Sequence, residues 1–462
     1  MAPLPLNRRR FLQSGMAASA TALLAAPGGP AATRSTAFAA PAVQETTNLR
    51  VMVWGRPDTV NWAYQAFQRA APDAARGITV EPVVGGPGDQ EVAEQFRLLL
   101  SAGGQDMPDV IRLNRTQVPE FAAAGVLADL TDLIAPYRED MIENALQLAS
   151  FDDRVVAIPT QLKSKVWYYR ADLFEEAGID PAAVTDIDAF VEAGRTLNEA
   201  LPESFISSMR AEAPGYLQQS IVTSFSPIAF YDREAGQFQV TTHPGFRANY
   251  ETLDKLRAPE ISAPVDAFTP DWAPAFGDGT IASVLINEWM TGFLPLYVPE
   301  QAGLWKVHAW PNVGDSNEGS DAGGAVWVIP AQAPNPEAAF EFLATANLST
   351  EGSLALLEIG GLTPFVTSAR EQVPSMPAPE PAVGAENPIP WPPDFFGEEY
   401  FPVVFDAEER LTWIDFDPSA PRELSLWFEW SERFVAGQQG IDETLEGLQA
   451  DLESQIGDPW QV

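Results

Sequence analysis

Indole, guanidinium, ammonium and carboxyl groups recur in this sequence at one kind of place, the end of a short apolar run. The run at residues 49–54 closes on Trp54 and is followed by Arg56 and Asp58. The run at 108–113 carries Arg112 near its end, with Asn114 just after it. The run at 281–286 passes into Asn287, Glu288 and Trp289. Between the runs at 155–158 and 166–169, a polar loop holds Lys163 and Lys165, two of only four lysines in the chain. Polar and aromatic groups at strand ends line pocket lips, because ligands of open α/β sheets bind beyond the carboxyl ends of the strands. Ring faces take the apolar side of a ligand, while amide, carboxyl and cationic groups take its hydroxyls. Ordinary roles compete at each position: surface contacts or helix capping after the first run, an ion pair for the lysines, core packing for the indoles.

Bond-breaking chemistry is poorly served. The chain has no cysteine, so disulfides, thiolate nucleophiles and Cys-ligated zinc are excluded. No G-x-S-x-G is present, and His243 and His308, the only histidines, belong to no metal-spaced cluster. The glycines at 85–88 lack both the G-x-G-x-x-G spacing and a following G-K-[ST], so no phosphate loop is expected there. Asp415 and Asp417 could share a strand face or hold calcium in a loop, but one carboxylate pair among 64 acidic residues does not mark a glycosidase. No enzyme activity, cofactor or metal is expected.

Acidic residues number 64 against 27 basic, a formal net charge of −37. Such a field repels nucleic acid and anionic lipid. It also strains the fold by self-repulsion that salt would screen, which suggests adaptation to high salt. The alternatives are an acidic lineage bias or secretion into an acidic medium.

The elements that must position these groups alternate short apolar strands with amphipathic helices, an α/β pattern, and 462 residues exceed one ordinary core. A strand at 155–158 ending at Pro159, a polar loop, and a second strand at 166–169 suggest a connector between two lobes. Helix openings are expected at Asp89, at Asp172 with Glu175, and at Thr185 with Asp188. The apolar face of residues 441–456 should dock on a core. Residues 1–39 form a targeting segment, with Arg8-Arg9-Arg10-Phe11-Leu12 as a twin-arginine pattern and Ala37-Phe38-Ala39 as a cleavage site. No cysteine follows, so no lipid anchor is expected.

In order and spacing these pieces resemble the extracellular solute-binding proteins of ABC importers, the large sugar-binding group. The resemblance rests on the run at 49–55, Pro108-Asp109-Val110, and Gly125-Val126-Leu127-Ala128-Asp129-Leu130. It continues through 153–159 into Trp167 to Phe174, then Phe276-Gly277-Asp278-Gly279 to Trp289, Gly323-Gly324, Asn335-Pro336-Glu337 and Gly361-Leu362-Thr363-Pro364. Two departures are Arg170, where the family has Asn, and Asn287 or Glu288, where it has Gly. The resemblance implies a two-lobe periplasmic-binding-protein fold, with lobes at 44–160 plus 308–357 and 161–307 plus 358–462, and a ligand cleft between them. It implies a monomer in the periplasm or outside the cell that binds a mono- or oligosaccharide and delivers it to an ABC transporter permease by cleft closure. Trp289 is the first candidate platform, Glu288 its neighbour, and Trp327 and Trp272 are further aromatic candidates. The alternatives are the same scaffold holding a polyol, peptide, polyamine or phosphorylated polyol, and a secreted carbohydrate-active enzyme.

Overall fold

The computed structural model describes residues 46–208, 216–225, 229–266, 269–314, 319–320, 324–379 and 389–461. The twin-arginine segment and residues 380–388 of the proline-rich stretch lie outside the described residues. In chain order, the strands that build the two main sheets are β1 (Thr47–Trp54), β2 (Ile78–Gly86), β3 (Val110–Asn114), β4 (Ile158–Gln161), β5 (Lys165–Arg170), β6 (Ser283–Asn287), β7 (Trp305–Ala309) and β8 (Ala325–Val328).

The first sheet has the order β2-β1-β3-β8-β4. The pairs β1/β2 and β1/β3 are parallel, and β8 runs antiparallel to both β3 and β4. Crossover helices α1 (Asp58–Ala70) and α2 (Asp89–Ser101) follow β1 and β2. Leu49, Val51 and Val53 alternate with Met52 in β1 and all are buried, so both strand faces are covered. Full burial of such side chains stabilises the fold by roughly 1.5–3 kcal/mol each. Asp109 fastens this lobe together. Its Oδ2 accepts from the Arg50 N–H at 2.9 Å, and its Oδ1 accepts from the Asn335 N–H at 2.9 Å and from Asn335 Nδ2 at 3.0 Å.

The second sheet has the order β6-β5-β7, with both pairs antiparallel. Its side chains alternate between two cores, as strand geometry requires. Trp167 and Leu285 enter one, while Val166, Tyr168, Val284 and Ile286 enter the other. The C-terminal helix Ile441–Gln455 docks on the first of these through Leu445, Leu448 and Leu452, the face expected from its spacing.

The chain passes from one sheet to the other at residues 161–165, between β4 and β5, as the broken strand suggested. Pro159, however, does not end its strand. It pairs with Val326 inside β4, tolerated because β4 is the sheet edge and a bulge beside Ala325 takes up the irregularity. Three expected caps also differ. Gly88 rather than Asp89 precedes α2, with Glu91 reaching back to the Gly88 N–H; Asp186 caps the helix Ile187–Ala200; and Asp172 is held by Arg170. Asp186 has the geometry that places its carboxylate over the Ala189 N–H, Glu91 accepts the Gly88 N–H, and the ion pair with Arg170 takes the Asp172 carboxylate.

Candidate functional site

The site is built at the ends of the strands and along the first connector. Lys163 lies in that connector with a left-handed φ of 62°. A non-glycine residue holds this conformation only when its surroundings impose it. Here its N–H and its carbonyl are both fixed from the end of β6 and the turn after it: Glu288 Oε1 accepts its N–H at 3.0 Å, and the Asn287 amide donates to its carbonyl. Glu288 is 1% exposed. Burial, with the field of Glu408 added, holds its carboxyl well above the usual carboxylate range, and Lys163 opposes that shift. Its second oxygen, Oε2, makes no hydrogen bond among the described residues, and neither does Asn287 Oδ1.

On the first lobe, Trp54 ends β1 and Arg112 lies in β3 directly opposite Trp327 of β8. The Arg112 guanidinium sits 4.3 Å from the Trp54 ring centroid and 5.9 Å from that of Trp327. Its Nη1 donates to Thr59 Oγ1 at 3.0 Å, in the first turn of α1, while Nε is buried with no hydrogen-bond partner among the described residues. Desolvation lowers its pKa to about 10, against the opposing pull of Asp89.

On the second lobe, Lys165 pairs with Asn287 across β5/β6, and its ammonium lies 5.0 Å from the Trp310 ring centroid. Trp310 follows directly on β7, and its indole N–H makes no hydrogen bond among the described residues. Trp289 is partly buried and meets Phe293 edge-on at 5.2 Å; Phe293 is exposed.

The candidate strip therefore has two parts: Trp54 and Arg112 with Trp327, which is 1% exposed and packed in the first core, on one side, and Lys163, Lys165, Asn287, Glu288 and Trp310 at the connector and second sheet on the other. It is rich in ring faces and in buried polar atoms that the described protein leaves unsatisfied. Such atoms are costly unless something else completes them. A model for "Bacterial extracellular solute-binding protein" matches residues 62–383 of the chain. The chain belongs to this family.

Relatives of this solute-binding protein include an arabinooligosaccharide-binding protein of Halalkalibacterium halodurans, 25% identical over 71% of this chain and 72% of that one. A lactose-binding protein of Rhizobium radiobacter is 24% identical over 55% of this chain and 60% of that one. Among solved structures, an ABC transporter associated binding protein from B. animalis subsp. lactis, in complex with beta-1,6-galactobiose, superposes with a TM-score of 0.74 at 21% identity, covering 90% of this chain and 99% of that one. The galacto-N-biose-/lacto-N-biose I-binding protein of the ABC transporter from Bifidobacterium longum gives 0.72 at 17% identity over 90% and 98%. The two-lobe fold is thereby shown.

The remaining candidates fall elsewhere in the solute-binding protein. Arg56 and Asp58 form an exposed ion pair at 2.7 Å beside the start of α1. Asn114 is buried and accepts from the N–H and hydroxyl of Thr116, closing the short turn Arg115–Gln117. Trp272 is a core residue, 1% exposed and edge-on to Phe276 and Tyr297. Asp417, rather than facing Asp415 around a cation, is buried beside Glu423 and accepts from the Ser419 N–H at 2.8 Å. Thr59, Asn287 and Trp310 complete the strip without having been singled out as ligand contacts. Trp310 had a legible signal, an indole ending a strand as Trp54 does. Thr59 had none.

Proposed function

We propose that this chain binds a carbohydrate between its lobes and delivers it to the permease of an ABC importer without chemically altering it. The observation that carries this reading is the set of indole rings and buried, unsatisfied donors and acceptors on the strands of both sheets and at the connector between them. A sugar offers the complementary pattern, apolar C–H faces ringed by hydroxyls. The relatives named above are sugar-binding proteins, which supports the same ligand class. Ligand that touches both lobes only in the closed state stabilises that state, and a permease then reads the closed surface. Trp289, Trp327, Trp54 and Arg112 are the proposed contacts, with Lys163, Lys165 and Glu288 at the connector. The lobe boundaries are best drawn after residues 162, 313 and 369. Val313 still packs in the second lobe, while Leu162, Phe365, Val366 and Ala369 still pack in the first. Export by the twin-arginine route, a free monomeric state outside the cytoplasm without a lipid anchor, and adaptation to salt complete the reading.

The test is a thermal-shift and calorimetric screen of the purified chain in molar salt, against neutral and acidic oligosaccharides, polyols, peptides and polyamines. Selective stabilisation by one sugar class, lost in Trp289→Ala, is the expected result. A shift with peptides or polyamines alone would discard the sugar, and release of reducing ends from a polysaccharide would discard the non-catalytic reading.

A further inference from the structure

Basic groups are scarce in this chain, 27 against 64 acidic ones, and lysines number four. Three of these basic side chains are nevertheless among the candidate groups, Arg112 on the first sheet and Lys163 and Lys165 at the connector. Glu288 lies at the connector, where its Oε1 accepts the Lys163 backbone N–H and its charge interacts with Lys163.

Arg112 forms no ion pair among the described residues. Asp89 is the acidic group whose field reaches it, but that carboxylate accepts from Gln117 Nε2 at 3.3 Å instead. Asp58 is engaged by Arg56. The guanidinium lies against the Trp54 ring at 4.3 Å, with Trp327 at 5.9 Å, and Nη1 is fixed by the Thr59 hydroxyl. The edge carrying Nε is left over. A guanidinium edge is a planar two-donor fork that matches a carboxylate in geometry and charge. Holding a partly desolvated cation without a counter-charge costs stability, and a bound anion would offset that cost. Thr59, in the first turn of the thirteen-residue helix α1, places the positive end of that helix on the same spot.

We propose that, given a carbohydrate ligand as inferred above, the ligand is an acidic one, a uronic-acid-containing oligosaccharide whose carboxylate is received by the Arg112 guanidinium beside Trp54. Arg112 then determines specificity: its guanidinium separates the charged sugar unit from the neutral counterpart. A neutral sugar in this place would leave the cation uncompensated.

The experiment is calorimetric titration of the purified chain with matched probes. These are di- and trimeric galacturonates, glucuronates and mannuronates, the same oligosaccharides with their carboxyl groups reduced to alcohols, and hexose 6-phosphates. Tighter binding of one uronate than of its reduced form, by about 10- to 100-fold, is expected. Arg112→Gln should remove that preference, so that the uronate and its reduced form bind with similar affinity. Arg112→Lys, which keeps the charge and loses the fork, should fall between them. Equal or better binding of the reduced sugar would overturn the acidic ligand while leaving the carbohydrate reading intact. Preference for the sugar phosphates would overturn the carboxylate. Binding of no sugar of either kind would remove the carbohydrate reading itself, and this inference with it. Wild-type selectivity decides the matter even where Arg112→Gln fails to fold.

Discussion

Glu288 Oε1 and the backbone N–H of Lys163, 125 residues apart in sequence, are joined by a 3.0 Å hydrogen bond inside the connector between the two sheets. The bond holds Lys163 in its left-handed conformation and so sets the direction in which the chain enters the second lobe. Removing the carboxyl leaves a buried N–H unsatisfied. Glu288→Ala is therefore expected to cost about 1–3 kcal/mol, read by chemical denaturation. Glu288→Gln keeps the acceptor and has no charge to desolvate, so it should match or exceed the wild type above neutral pH. Equal losses in both variants at every pH would show that the bond does not position the connector.

A second relationship concerns pH. Burial raises Glu408 to about 7 despite its pairing with Arg370, and raises Asp417 to about 6. Glu423 is held well above the usual range by burial and by Asp417. An acid whose folded-state pKa exceeds its unfolded value binds more protons when folded, so stability falls as pH rises through that interval. The expected outcome is a thermal midpoint that is highest near the ordinary carboxylate range and declines through about pH 6 for Asp417 and about pH 7 for Glu408. Glu423→Gln removes one raised carboxyl and should make the decline shallower. A midpoint that rises steadily from pH 5 to 8 would contradict it.

The net charge of −37 gives a third expectation. Its repulsion acts over a screening length of about 10 Å at 0.1 M salt and about 3 Å at 1 M. The thermal midpoint should climb with sodium chloride over that range, and more steeply than with an uncharged osmolyte of equal osmolality. Equal slopes for the two would mean that surface repulsion does not limit stability.

Asp109 offers a fourth. Three donors from Arg50 and Asn335 converge on its carboxylate in a site 2% exposed. Asp109→Ala should destabilise the first lobe by about 2–4 kcal/mol, since hydrogen bonds to a charged acceptor are worth more than neutral ones and the donors would be left buried. Hydrogen exchange would place the loss at β1 and at the start of the helix Pro336–Leu348. A change confined to the second lobe would refute the assignment.

Much of this molecule follows from local chemistry. The apolar runs became buried strands because runs of that length can only be covered on both faces. The polar break at 161–165 became the crossing because unpaired backbone there needs partners from both sheets. The last helix docked through Leu445, Leu448 and Leu452 because that spacing makes one face. Capping residues were harder to read, since Asp, Thr and Glu crowd every helix start in so acidic a chain and only backbone geometry selects one. The sequence by itself determined an α/β chain in two lobes, an excess of negative charge and a set of strand-end side chains. It did not determine which of these meet. Trp54, Arg112 and Trp327 come together because β3 and β8 are in register at residues 112 and 327, and Trp272 is lost to the core because its helix packs against Tyr297. Lys165 reaches Trp310, and Glu288 reaches Lys163, across more than a hundred residues of chain. Contacts at such separation depend on strand register and on how the sheets pack, which no local pattern encodes.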